Sequence, residues 1–176
     1  GNVVHRYLQI AAGLLKDRSP AELLTEMSGW KPRLVASLRS EGLPPTLLER
    51  EAERALHALE QTAKDAEGLW ILSPQPGAST ERPLTLATAK TLRVDRSFLA
   101  GATPLSSAQT HTWIVDFKTG TARGLSDVDF EREERRKYGD QLIVYASAAR
   151  ALSPDSPQIM LGLYYPLIPR LLWWPA

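Results

Sequence analysis

Apolar positions Val4, Leu8, Ala11, Ala12 and Leu15 recur at helical spacing from Val3 to Leu15, which predicts an amphipathic first helix entered through Gly1-Asn2. Ser19-Pro20-Ala21-Glu22 reads as a cap, a proline at the first helical position and the start of a new helix. A short helix follows from Lys31 to Arg39, and the stretch Pro45 to Ala66, rich in Leu, Ala, Glu and Arg, predicts the longest helix of this half. The character changes at Leu69-Trp70-Ile71-Leu72, a short apolar run followed by the loop composition Ser73-Pro74-Gln75-Pro76-Gly77, and strands are expected from there on. Arg82 to Ala89, Thr91 to Leu99 and His111 to Thr119 alternate as strands, with Gly101 to Gln109 a polar turn, and the three suit an antiparallel meander. Tyr138, Leu142, Tyr145 and Ala149 then fall at i, i+4, i+7 and i+11, one face of a long helix spanning Phe130 to Arg150. Ile159 to Tyr165 predicts a buried strand, and Leu171-Leu172-Trp173-Trp174 an edge strand. The expected class is α/β: a mixed central sheet flanked by helices, with a helical N-terminal part.

At 176 residues and 43% hydrophobic, the chain suits one domain over 1–176 with a sizeable core. Its first helix begins abruptly, as in a domain excised from a larger protein. The formal net charge of +1 gives no global field for a polyanion, so nucleic-acid binding has to rely on local patches. The absence of cysteine excludes a disulfide framework, a thiolate zinc site and a Cys-ligated iron–sulfur cluster within this chain. No apolar run approaches the roughly 20 residues needed to cross a bilayer, and Gly1 to Ile10 lacks the layout of a signal peptide. A cytoplasmic protein without a membrane partner is expected.

Candidate chemistry centres on Trp113-Ile114-Val115-Asp116-Phe117-Lys118-Thr119-Gly120. Strand alternation points Asp116 and Lys118 one way and Trp113, Val115 and Phe117 the other. In Leu92-Arg93-Val94-Asp95-Arg96-Ser97-Phe98, alternation points Asp95 away from Val94 and Phe98, and pairing of the two strands would bring it beside Asp116. Two carboxylates that close repel unless a cation lies between them, and oxygen ligands suit Mg²⁺ or Mn²⁺. His5 flanks the apolar stripe of the first helix, where its imidazole could reach the same site. Gln141 and Tyr145, four apart, share a helix face, and Glu81 opens the first strand of the meander. Taken singly, each has an ordinary explanation: a solvated strand face for Asp116 and Lys118, a surface imidazole for His5, core for Tyr145, solvated positions for Gln141 and Glu81. His57 and His111 lie in no motif and are expected at the surface. The mixed-sign run Glu131 to Lys137 fits a solvated helix start, with Arg132, Arg135, Arg136 and Lys137 open to phosphate contact.

Taken together and in order, the motifs resemble those of a known family. Gly1-Asn2-Val3-Val4-His5-Arg6-Tyr7-Leu8, Glu81-Arg82-Pro83, Arg93-Val94-Asp95-Arg96, Val115-Asp116-Phe117-Lys118-Thr119 and Gln141-Leu142-Ile143-Val144-Tyr145 look like the successive motifs of RecB-like nucleases of the PD-(D/E)XK superfamily. The nearest likeness is to the C-terminal nuclease domains of UvrD/Rep-type helicases, the AddA-like and RecB-like subunits. The resemblance implies a restriction-endonuclease-like core and Mg²⁺- or Mn²⁺-dependent hydrolysis of DNA beside a helicase, in DNA end processing and recombinational repair. It implies His5, Asp95, Asp116 and the Val115 carbonyl as metal ligands, with Asp95, Asp116 and Lys118 catalytic. Gln141 and Tyr145 would position DNA or the active-site groups, and Glu81 matches a common acidic position of that kind. No Walker-type phosphate loop occurs, so no ATPase activity is expected of this chain. The alternative is a nuclease-like module that has lost its chemistry and holds DNA or serves as a scaffold.

Overall fold

The computed structural model describes residues 2–85, 91–122, 124–152 and 157–176, leaving aside the side chains of 81–85, 91–93 and 152. Four helices come first: α1 (Asn2–Leu14), α2 (Pro20–Ser28), α3 (Lys31–Ser40) and α4 (Pro45–Lys64). Ser19 starts α2 as read from the sequence, since its hydroxyl accepts the Glu22 N–H while the Glu22 carboxylate accepts the Ser19 N–H at 2.7 Å. The apolar run Leu69–Leu72 is not the threshold of the strands; it closes a fifth helix, α5 (Ala66–Leu72). Asp65 breaks the predicted Pro45 to Ala66 helix by capping this next one, accepting the Gly68 N–H at 2.8 Å.

Five strands follow: β1 (Ser79–Thr85), β2 (Thr91–Ala100), β3 (His111–Phe117), β4 (Gln158–Tyr164) and β5 (Leu171–Pro175). They form one sheet in the order β1-β2-β3-β4-β5. The meander β1-β2-β3 is antiparallel, β4 runs parallel to β3, and β5 lies antiparallel to β4 at the edge. A parallel neighbour requires a crossover, and α6 (Asp127–Leu152) supplies it. The first strand opens at Ser79 rather than Arg82, and its predicted end at Ala89 lies outside the described residues. The crossover helix starts at Asp127 rather than Phe130 because Ser126 caps it, its hydroxyl accepting the Asp129 N–H at 3.2 Å and donating to the Asp129 carboxylate at 2.6 Å.

The sheet is buried on both faces. On one, Phe98, Trp113, Val115, Phe117 and Tyr164 pack with the N-terminal helices around Leu8, Leu23, Leu59 and Ile71. On the other, Val94, Ile114, Leu161, Leu163 and Tyr165 pack with Phe130, Leu142 and Tyr145 of α6. Strict alternation had placed Val94 and Phe98 on one face; they join different cores. The last β2–β3 pair is Arg96 with Val115, whereas pairing to β1 continues to Thr91, so β2 leaves β3 and follows β1. Successive tyrosines at the end of β4 tie both helical layers to the sheet: Tyr164 donates to Asp65 at 2.9 Å and Tyr165 to Glu134 of α6 at 2.5 Å. Burial, followed by the facing carboxylates, raises both phenols above their ordinary range, so they stay donors. Among the described residues, no helix is long and apolar enough to cross a membrane.

The Tyr164–Asp65 junction leaves no room at Gly68, where a Cβ would lie 2.5 Å from the Thr62 carbonyl oxygen, a backbone atom that cannot swing away. Gly68→Ala should lower the unfolding free energy by about 1–3 kcal/mol, seen as an earlier urea midpoint at unchanged slope. A midpoint equal to that of the parent chain would contradict this packing.

Candidate active site

Where β2 and β3 part, the sheet ladder is replaced by a side chain. Asp95 Oδ2 accepts the Phe117 N–H at 2.8 Å, so the carboxylate stands in the gap between the strands. His5, from α1, faces it with Nδ1 at 3.4 Å from the same oxygen, and the imidazole edge packs on Phe117 at 6.2 Å between centroids. Asp116 is 5% exposed, and Lys118 Nζ lies 2.5 Å from its Oδ2. That ammonium is the one polar partner of Oδ2 among the described residues, a charge-assisted contact to a buried oxygen.

The electrostatics follow from this crowding. Burial first, then the Asp95 carboxylate, push Asp116 above the usual carboxylate range, against the opposing pull of Lys118 and, more weakly, His5. Desolvation and like charge together outweigh one ammonium and one imidazole. With a neutral imidazole, the two carboxylates leave one negative charge beyond what Lys118 offsets. The donor set is carboxylate oxygen with one imidazole, the kind that suits Mg²⁺ or Mn²⁺, and a cation between Asp95 and Asp116 would offset the charge that Lys118 leaves uncompensated. Among the described residues, no three His, Cys, Asp or Glu side chains are gathered closely enough to hold a metal ion as they stand. Bringing His5, Asp95 and Asp116 onto one ion therefore requires side-chain rotation.

The α6 helix contributes a polar stripe, with Glu134, Tyr138, Gln141 and Tyr145 at i, i+4, i+7 and i+11. Gln141 Nε2 donates to the Tyr145 hydroxyl at 2.6 Å, which leaves the phenol proton available to another acceptor. Burial raises Tyr145 above its ordinary range, and the charges of Asp116 and Asp95 add to this, so its hydroxyl lies within electrostatic reach of both. Tyr145 is buried, Gln141 exposed. Val115 has its side chain in the core between Arg96 and Gly162, so its carbonyl is all it has to offer a ligand. Glu81 falls in β1, and its side chain lies outside the described residues, as does Gly1 of the first motif. His57 is exposed, as expected, while His111 meets Thr110 at 2.9 Å and Gln158 at 3.2 Å, away from this cluster. Arg132, Arg135, Arg136 and Lys137 are all exposed on α6.

Sequence reasoning missed four contributing residues. Tyr138, read as one residue of a core stripe, places its ring centroid 3.9 Å from Lys118 Nζ. Tyr165 and Glu134 form the brace already described. Arg96, next to Asp95, is buried and donates to the carbonyls of Ile71, Leu72 and Ser73 at the end of α5, at 2.9, 3.3 and 2.8 Å. Burial lowers its guanidinium to about 10, still protonated at neutral pH, so it anchors β2 against α5 beside Asp95. The heptad-like spacing of Glu134, Tyr138, Gln141 and Tyr145 was the available signal for the α6 stripe. No local pattern announces a buried arginine that caps a helix distant in sequence. Two clefts flank the segment after Lys118: one of about 140 Å³ lined by Val3, Val4 and Thr119, and one of about 300 Å³ lined by Gly120, Thr121, Phe130, Glu134, Arg136 and Lys137. No protein-family model matches the chain, and no curated protein matches it either.

A carboxyl group whose folded pKa is raised favours the fold most below its unfolded value of 3.8 and loses that contribution as pH rises through the folded value. Asp116→Asn should therefore raise the melting temperature of the metal-free chain at pH 7, with the gain shrinking as pH falls toward 4. Thermal unfolding across that range checks it; a destabilised Asn variant at pH 7 would contradict the electrostatic reading.

Proposed function

We propose that this chain is a metal-dependent deoxyribonuclease of the RecB-like, PD-(D/E)XK kind, with a restriction-endonuclease-like core, acting with a helicase in DNA end processing and recombinational repair. The observation that carries the reading is the buried Asp116 carboxylate, which has Lys118 at 2.5 Å and, within electrostatic reach, the Asp95 carboxylate that His5 meets at 3.4 Å. Two carboxylates brought together against one ammonium repel each other unless further positive charge is supplied. The order of elements gives further support: three antiparallel strands, a crossover helix and a parallel fourth strand, with the charged groups at the parting of β2 and β3.

In this reading His5, Asp95, Asp116 and the Val115 carbonyl would hold Mg²⁺ or Mn²⁺, which would supply a more acidic water and Lewis-acid polarisation of the scissile phosphate. Lys118 directs its ammonium at the position of the attacking water and offsets charge developing on the phosphate oxygens. Water adds to phosphorus as the bond to the leaving oxygen breaks, and that oxygen leaves protonated. Tyr145, held by Gln141, presents a hydroxyl proton to the same region. Arg136 and Lys137 line the larger cleft together with Glu133 and Glu134, and they are the groups there that could meet backbone phosphates. A net charge of +1 makes binding by the isolated chain weak and salt-sensitive.

The test is degradation of linear DNA with Mg²⁺ or Mn²⁺ by the chain, Asp116→Ala and Lys118→Ala. Each substitution should lower the rate by about 10²-fold or more, and chelation should abolish it. Equal residual cleavage by all three, or none by any, would leave the alternative, an inert module that holds DNA.

A further inference from the structure

Tyr138 lies one helical turn before Gln141 and two before Tyr145 on α6, and its place on an apolar stripe suggests nothing beyond packing. Its ring belongs to a more specific arrangement. The centroid is 3.9 Å from Lys118 Nζ, and the same ammonium is 2.5 Å from Asp116 Oδ2. The Lys118 main chain is fixed separately, its N–H donating to the Tyr164 carbonyl at 2.8 Å and extending the β3–β4 pairing by one residue. A lysine stem has four rotatable carbons, so a fixed backbone alone leaves the ammonium spread over many positions. The Lys118 side chain is 16% exposed, and partial removal from water strengthens the attraction of a cation to the face of an aromatic ring. Lys137 Nζ is 4.7 Å from the same centroid, so Lys118 is the nearer of two cations on this ring.

We infer that Tyr138 is a positioning residue: the face of its ring holds the Lys118 ammonium beside Asp116. The placement stands on geometry alone, while its effect on rate rests on the nuclease reading. The phenol hydroxyl is not what acts; the ring is. Phenylalanine should therefore serve, and an aliphatic residue of similar bulk should not.

Three measurements on the full chain separate these outcomes. In the parent protein, nuclear Overhauser contacts should join the Lys118 ε-methylene protons to the Tyr138 ring protons, and those methylene protons should resonate upfield through the ring current. Tyr138→Leu should return them to the position of an ordinary lysine, and Tyr138→Phe should leave them upfield. In Mg²⁺-dependent cleavage of linear DNA, Tyr138→Leu should lower kcat about tenfold with KM nearly unchanged, the size a partly desolvated cation–ring contact supports, while Tyr138→Phe stays within about threefold of the parent. Absence of the contacts in the parent chain, Lys118 resonances unmoved by Tyr138→Leu, or an equal loss of rate in Phe and Leu variants would each overturn the inference. The contacts need no substitution, so they decide the matter even if Tyr138→Leu does not fold. Contacts present in a chain that cleaves no DNA would keep the placement and remove the nuclease reading instead.

Discussion

Asp116 is 5% exposed, has Asp95 within electrostatic reach and meets one ammonium, that of Lys118. Burying a carboxylate among other carboxylates is unfavourable unless charge of the opposite sign is supplied, and here the supply falls short of the demand. Burial and the Asp95 charge push its pKa upward against the pull of the Lys118 ammonium on Oδ2. The surrounding architecture holds this unfavourable arrangement in place. Arg96 locks β2 to the end of α5, the Asp95 carboxylate fills the gap where β2 leaves β3, and α1 brings His5 against Phe117. Each of these contacts fixes a group beside the strained carboxylate without neutralising it.

The two helical layers are tied to the site by the same device used twice. Tyr164 and Tyr165 emerge at the end of β4 toward opposite faces, one bound to Asp65 at the start of α5 and the other to Glu134 on α6. Because β4 pairs in parallel with β3, with Tyr164 opposite Phe117, these braces act one residue from Lys118. The crossover helix is thereby held with Tyr138 against the lysine and the Gln141–Tyr145 pair near the carboxylates. Parallel pairing, crossover and site geometry are one linked arrangement: moving α6 would shift the ring, the brace and the phenol together.

Most of the architecture was legible because it depends on local rules. Ser19-Pro20-Ala21-Glu22 marks a helix start through a capping box, and the unbroken apolar run Trp113-Ile114-Val115 fits a strand buried on both sides. The errors have local causes as well. Leu69–Leu72 is too short an apolar run to separate helix from strand by period, and Asp65 three residues before Gly68 was the overlooked cap. At Val94, alternation failed because β2 changes partners, a tertiary event with no two-residue signature. In the candidate site, the nearness of Asp116 and Lys118 followed from spacing, whereas Asp95 lies one residue beyond the last β2–β3 pair and reaches β3 through its side chain. The roles of Arg96 and Tyr138 depend on contacts between elements far apart in sequence, which periodicity registers only as burial.

The central claim is that the charge deficit around Asp116 is met by a divalent cation. Anomalous diffraction from crystals soaked in Mn²⁺ tests it directly. The account predicts a single strong peak within coordination distance of Asp116 Oδ2 and an Asp95 oxygen, with His5 turned toward it. Full Mn²⁺ exposure with no peak among these side chains, or a peak held by other residues, would contradict it.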